Sequence, residues 1–208
     1  MNNTTKLNNT IEVIGVVVSA LQFSHEIAGE KFSNFKISTN RLSGNADIID
    51  ATISERLLVG QEFHEGQRVA VKGQVRTYNK TEKGRNCSLT ITLFVFEYMV
   101  CDNNTKDTDV VELIGFVCKT PVYRTTPLGR EISDIVLAVN RAYGKSDYIP
   151  VVVWGRNARF CKTLVIGEEI KINGRLQSRS YQKKNSDNTV TDRVAYEISV
   201  ARVGKESV

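Results

Sequence analysis

The residues with the most chemistry to offer lie in Tyr148-Ile149-Pro150-Val151-Val152-Val153-Trp154-Gly155-Arg156, the stretch that holds the only tryptophan of the 208-residue chain. Alternation along a strand places Tyr148, Val152 and Trp154 on one face and Ile149, Val151 and Val153 on the other, so one face packs a core while the other displays two rings. A second stretch, Glu168 to Tyr181, alternates as clearly. Ile172, Gly174 and Leu176 share one parity; Lys171, Asn173, Arg175, Gln177, Arg179 and Tyr181 share the other, a basic stripe ending in an aromatic ring. Lys183 and Lys184 continue the positive charge into a polar hairpin, Gln182 to Thr189, before Val194 to Val200 reads as a closing strand. Cations that track a phosphate chain, next to rings that stack on unpaired bases, are the two requirements for holding a single-stranded nucleic acid without reading its sequence. Taken singly, Trp154 reads equally well as a core tryptophan, and the hairpin lysines as a solvated tip.

Other chemistries find little to work with. The two histidines, His25 and His64, have no neighbouring nucleophile and no metal-ligand spacing. Cys87, Cys101, Cys118 and Cys161 form no C-x-x-C pair, and each lies in or beside an apolar run, which favours buried thiols over ligands. No glycine loop of phosphate-cradling pattern and no acidic cluster is present, so neither an enzyme nor a cofactor or metal site is expected. No segment approaches the roughly 20 apolar residues of a membrane span, and the chain opens without a basic cluster followed by an apolar run; a soluble, cytosolic protein is expected. Charge divides unevenly: residues 1–105 hold 11 Lys and Arg against 11 Asp and Glu, residues 106–208 hold 17 against 12, and all of the net +5 lies in the second half. A locally basic module argues for a polyanionic partner.

The elements that must position these residues occur twice. Thr10-Ile11-Glu12-Val13-Ile14-Gly15-Val16-Val17 returns as Val110-Val111-Glu112-Leu113-Ile114-Gly115-Phe116-Val117, an offset of 100. Phe35 to Arg41 parallels Ile135 to Arg141, Ala51 to Arg56 parallels Val151 to Arg156, and Val69 to Val75 parallels Ile170 to Leu176 after a one-residue slip. Four segments in the same order mark two copies of one domain. Each copy has short alternating strands, about 100 residues and one candidate short helix, Arg156 to Leu164 in the second; that composition suits an all-β barrel with a helix across one end. The repeated glycine suggests the sharp bend that barrel closure needs. The domains divide as 1–102 and 103–208, with Cys101 to Thr108 as a linker too short to let them wander.

The second copy resembles bacterial single-stranded DNA-binding proteins. The residues that carry the resemblance are Thr126-Pro127-Leu128-Gly129-Arg130 as the turn before a strand, Ile135 to Arg141 as that strand, the tryptophan stretch, and Gly167-Glu168-Glu169-Ile170-Lys171-Ile172-Asn173-Gly174-Arg175-Leu176-Gln177-Ser178-Arg179-Ser180-Tyr181. The match runs from about Val111 to about Val203. It implies two tandem OB-folds, five-stranded Greek-key barrels. Mapped residue by residue, the family's stacking aromatics fall on Tyr143, Tyr148, Trp154 and Tyr181, with Arg141, Arg156, Arg175, Arg179, Lys183 and Lys184 as phosphate partners. The implied role is single-stranded DNA binding in replication, recombination or repair, in the nucleoid. Stacking and phosphate contacts ignore the 2′-hydroxyl, so RNA fits the same chemistry. The first copy departs from the pattern: Ser54 stands where Trp154 stands, Leu42 or Ser43 near the place of Tyr143, and Asp47-Ile48 in the region of Tyr148. Only Lys72, Arg76 and Tyr78 keep the basic and aromatic character, so this copy is expected to serve as a spacer, an interface or a weak site. Because such proteins assemble four OB-folds and this chain contains two, a homodimer is expected. The chain shows no acidic tail with a hydrophobic tip, and no partner-hub role is expected. The alternatives are an accessory protein of a primosome or mobile element, and a protein-interaction module.

Overall fold

The structure is a computed structural model that describes residues 7–82, 85–184 and 189–205. In the first half, β1 (Asn9–Val17), β2 (Gln22–Ile27), β3 (Glu30–Asn40), β4 (Ala46–Ser54), β5 (Arg68–Glu82) and β6 (Arg85–Val100) follow one another. The second half repeats them as β7 (Thr108–Val117), β8 (Val122–Thr125), β9 (Glu131–Asn140), β10 (Ser146–Trp154), β11 (Glu169–Lys184) and β12 (Val190–Lys205). Within each half the strands close on themselves. β1 pairs antiparallel with both β3 and β5, β3 with β4, β5 with β6, and a parallel β4–β6 ladder completes the ring. β7, β9, β10, β12 and β11 repeat that circuit, with β10–β12 as the parallel pair. This is the closed five-stranded Greek-key barrel of the OB-fold, present twice.

Alternation explains the interiors. Val13, Ile37, Ile49, Val71 and Leu93 fill the first barrel, and Leu113, Leu137, Ile149, Ile172 and Ile198 the second, all fully buried. Closure brings backbones into contact at the repeated glycine. A Cβ on Gly115 would lie 2.5 Å from the Ala138 carbonyl oxygen, and one on Gly15 would strike the corresponding oxygen of Ser38. No side chain fits at either place, which is why both copies carry glycine there.

At the end of β10, Gly155 turns the chain at φ +57° into α1 (Gly155–Cys161), whose buried Ala158 and Cys161, with Leu164 beyond, cover the mouth of the second barrel. The helix ends three residues earlier than the sequence suggested, and the first barrel has only a 3-10 turn, Glu55–Leu58, in its place. Burial raises the Cys161 thiol to about 11. Cys101 and Cys118 are half-buried, while the side chain of Cys87 lies outside the described residues.

The two barrels share one sheet. β1 and β7 pair antiparallel, Asn9 opposite Leu113 through Ile14 opposite Thr108, so β6-β5-β1-β7-β11-β12 is continuous. Two matching polar joints reinforce it. Arg41 donates to the buried Asp47 (2.6 Å from Nε), which also accepts from Ser178 N–H in the other barrel at 2.8 Å. A pseudo-two-fold relates this joint to Arg141, Asp147 and Thr77, where Thr77 N–H donates to the fully buried Asp147 at 2.6 Å. Burial pushes the Asp47 carboxyl up, but its bonds from Arg41 and Ser178 more than reverse this and hold it below the usual carboxylate range. In the linker, Asp107 accepts from Asn40 N–H at 2.6 Å and pairs with Arg68.

Candidate nucleic-acid interface

On β10, Ile149, Val151 and Val153 point into the barrel, leaving Tyr148, Pro150, Val152 and Trp154 on the outer face. Tyr148 is 53% exposed and Trp154 39%, so the tryptophan presents part of its ring to solvent and is not a core residue. Val152 shares their face but is 4% exposed. It lies at the bottom of a groove of about 580 Å³, walled by Val122 and Arg124 of β8, Ile132, Asp134 and Val136 of β9, and Gln177 and Arg179 of β11. The groove thus has an apolar floor, a ring at one side and guanidinium groups above it. Such a trough admits flat bases edge-on to a phosphate-facing rim.

The acids in the groove are bonded within it. Arg124 Nε lies 2.8 Å from Asp134 Oδ2, and Gln177 Nε2 donates to Glu197 Oε1 at 2.7 Å. Asp134 is thereby charge-paired, whereas Gln177 orients Glu197 without bringing it an opposite charge. Arg179 and Arg156 are both exposed and have no ion-pair partner among the described residues. Both are free to meet a polyanion.

Two more rings are exposed on the same barrel. Tyr181, 41% exposed, stands on β11 opposite Arg193 of β12. Tyr143 is 98% exposed on the turn between β9 and β10, at φ 61° and ψ 32°. A non-glycine residue in the left-handed region costs of order 1 kcal/mol, and a ring with no burial of its own does not offset that cost.

The other expected phosphate partners are otherwise engaged. Arg141 is half-buried, with Nε 2.9 Å from Asp147 Oδ2 and Nη2 donating to the Thr77 carbonyl oxygen at 3.4 Å; it belongs to the joint between barrels. Arg175 is half-buried and donates to Gln177 Oε1 at 3.3 Å. Lys171 and Asn173, on the same parity of β11, both reach Glu112 of β7, at 2.8 and 2.9 Å, on the far side of the barrel from the groove. The basic stripe read from the sequence is thus divided between two surfaces. Lys183 and Lys184 end β11, and their side chains lie outside the described residues. Arg124, Asp134, Gln177 and Glu197 were missed by the sequence reading. Strand parity would have found Arg124 had Val122–Thr125 been read as a strand.

On the equivalent face of the first barrel, aromatic residues are present at other positions and are covered by neighbours. His25 stacks on Phe32 with centroids 5.0 Å apart, Phe32 adjoins Phe94 at 5.8 Å, and the Arg76 guanidinium lies over Phe94 at 5.9 Å. Between them Thr52 and Thr92 share a hydrogen bond of 2.9 Å. These rings occupy one another's faces, and Tyr78, 47% exposed, is left at the edge. Among the described residues no helix is long and apolar enough to cross a membrane, and no three His, Cys, Asp or Glu side chains gather as a metal site.

Comparison with known proteins agrees with this division. The model of the Single-strand binding protein family matches residues 108–204. The Single-stranded DNA-binding protein of Clostridium tetani is 38% identical over 104 residues, spanning 46% of this chain and 72% of that protein. Single-stranded DNA-binding protein 3 of Clostridium acetobutylicum is 34% identical over 105 residues, 47% of this chain and 73% of that protein. The fold of the whole chain matches the crystal structure of wild-type single-stranded DNA binding protein from Thermus aquaticus, with a TM-score of 0.74 at 16% identity, covering 96% of this chain and 93% of that one. The family-model match falls on the barrel that bears the groove, and the structural match extends over both barrels. This chain belongs to the single-strand binding protein family.

Proposed function

We propose that the protein binds single-stranded DNA without strong sequence preference, through the outer face of its second barrel. Tyr143, Tyr148, Trp154 and Tyr181 stack on bases, and Arg156 and Arg179, with Lys183 and Lys184 at the hairpin, meet the phosphates. The observation that carries this reading is four exposed rings on the second barrel, with Trp154 and the exposed Arg179 lining a groove whose acids are hydrogen-bonded within it. Along the groove Arg124 is bonded to Asp134 and Gln177 to Glu197, which leaves these groups committed to one another rather than to base edges, so dT, dA and mixed oligomers should compete at comparable concentrations. Affinity should fall steeply with salt. A titration of the full chain with fluorescently labelled oligo-dT at two salt concentrations tests both points; salt-independent binding, or none, overturns the reading.

In the assembly we propose, the chain forms a homodimer through the outer face of the central sheet. On that face Met99, Val110 and Phe116 are exposed, and the ion pairs Lys72–Glu12 and Lys171–Glu112 lie at pseudo-equivalent places. A self-complementary face of this kind suits a two-fold contact. Light scattering on the DNA-free protein should give twice the chain mass, and a monomer at a hundred micromolar refutes the contact.

A further inference from the structure

We propose that Thr77, in the first barrel, is a positioning residue for the DNA-facing side of the second: it sets the main chain at Tyr148 and thereby the direction in which that ring leaves the outer face of β10. The proposal rests on the groove being the DNA site.

β5 extends beyond its own barrel, and Thr77 lies where it crosses β10. β12 pairs with β10 only at Val151–Val153, so on that side of β10 the backbone at Tyr148 has no strand neighbour. Thr77 fills the gap. Tyr148 N–H donates to Thr77 Oγ1 at 3.2 Å, and the Thr77 hydroxyl donates to Asp147 Oδ1 at 3.1 Å. Thr77 N–H reaches the same carboxylate oxygen at 2.6 Å. A hydroxyl has one proton, so with that proton on Asp147 its lone pair is aimed at Tyr148 N–H; the two bonds fix each other. Asp147 is in turn held by Arg141 at 2.9 Å and by Arg76 of the first barrel at 3.3 Å, and it is fully buried, where an unpaired charge is costly. The segment that leads into Tyr148 is therefore tied to the first barrel by hydrogen bonds from Thr77 and ion pairs at Asp147.

The pseudo-two-fold supplies a comparison within the molecule. Ser178 makes the same contacts in the opposite sense, donating from N–H to Asp47 at 2.8 Å and accepting from Ile48 N–H at 3.1 Å. That joint ends at an isoleucine and this one at a half-exposed tyrosine. The same structural device therefore acquires a binding consequence only where the ring is present. The first barrel thus retains a part in DNA binding by bracing the strand that carries Tyr148.

The test is a double-mutant cycle on the full chain with oligo-dT as probe. Thr77→Val keeps the shape and removes the hydroxyl, Thr77→Ser keeps the hydroxyl, and Thr77→Ala stands in should the valine variant fold poorly. Loss of one bridging hydroxyl, worth about 1 kcal/mol, corresponds to an affinity loss of about fivefold. Thr77→Val should show that loss, Thr77→Ser should bind within about twofold of the parent, and in a Tyr148→Ala background Thr77→Val should add nothing. Equal losses with and without Tyr148, or no loss in Thr77→Val, overturn the proposal. A Tyr148→Ala protein that binds like the parent shows instead that the groove reading fails, and the proposal falls with it.

Discussion

Asp109 and Asn9 occupy the same place in the two barrels, and their difference makes a measurable prediction. Asn9 Nδ2 donates to the Val75 carbonyl oxygen at 2.8 Å while its Oδ1 accepts from Val75 N–H at 2.9 Å, so both ends of the amide are satisfied. Asp109 accepts from Leu176 N–H at 3.1 Å, and its Oδ2 is buried without a hydrogen-bond partner. Burial is the main cause that pushes this carboxyl up to about 7; the Leu176 bond opposes it, Asp47 adds to it, and Arg175 and Arg41 oppose it. A carboxyl raised in the folded state from an ordinary value of 3.8 keeps its proton in the native protein across the window between those two values. Its contribution is therefore most favourable below about pH 4, declines as pH rises towards 7, and is constant above that. A shift of about three units corresponds to at most about 4 kcal/mol, and residual solvent reduces it to about 2–3 kcal/mol. Asp109→Asn substitutes the amide that already works at position 9. The variant should be more stable than the parent by about 2–3 kcal/mol at pH 8, with the gap closing towards pH 4.5. Urea unfolding of both proteins at several pH values measures this. Because other carboxylates such as Asp47 and Asp107 lose stability in the opposite direction on acidification, the difference between the two proteins is the informative quantity. A gap independent of pH, or a less stable variant at pH 8, refutes the reasoning.

Gly115→Ala should destabilise the chain by about 2–4 kcal/mol, since the new methyl meets the Ala138 carbonyl oxygen, while Gly204→Ala, with open space around it, should be near neutral in the same melt. Arg179→Ala and Arg156→Ala should each reduce the salt slope of oligo-dT binding by about 0.7 and weaken all sequences alike. Arg141→Ala should behave differently: removing one of the two cations beside buried Asp147 should lower stability by about 2 kcal/mol and leave the salt slope nearly unchanged. A full slope change in Arg141→Ala with unaltered stability would show that this side chain leaves the joint to meet DNA.

The sequence shows the barrels clearly because both carry the same alternating core and the same contact glycine, and those requirements repeat at an offset of 100. The exposure of Tyr148, Trp154 and Tyr181 was legible in outward parity, whereas Tyr143, on a turn, was pointed to by the motif alone. What stayed hidden depends on contacts distant in sequence. Arg141 reads as a free cation until Asp147, six residues on, and Thr77, in the other barrel, are seen around it. The β1–β7 ladder is made of backbone hydrogen bonds, which any side chains permit, and so leaves no mark in composition. Lys171 and Arg179 have the same parity on β11, yet the strand spans two surfaces, one facing β7 and one facing the groove, and parity alone does not divide them. The first barrel was expected to have lost its aromatic character; instead rings occur at Phe32 and Phe94, places where the second barrel has Ile132 and Ser199, and they cover one another.

The most direct measurement is the emission of Trp154 during an oligo-dT titration, because this single tryptophan is 39% exposed beside the groove floor. Stacking should quench it in step with binding, and Trp154→Ala should lose about 1–3 kcal/mol of affinity while keeping the parent's unfolding profile. Tight binding with unaltered emission, or a Trp154→Ala protein that binds as well as the parent, would contradict the account.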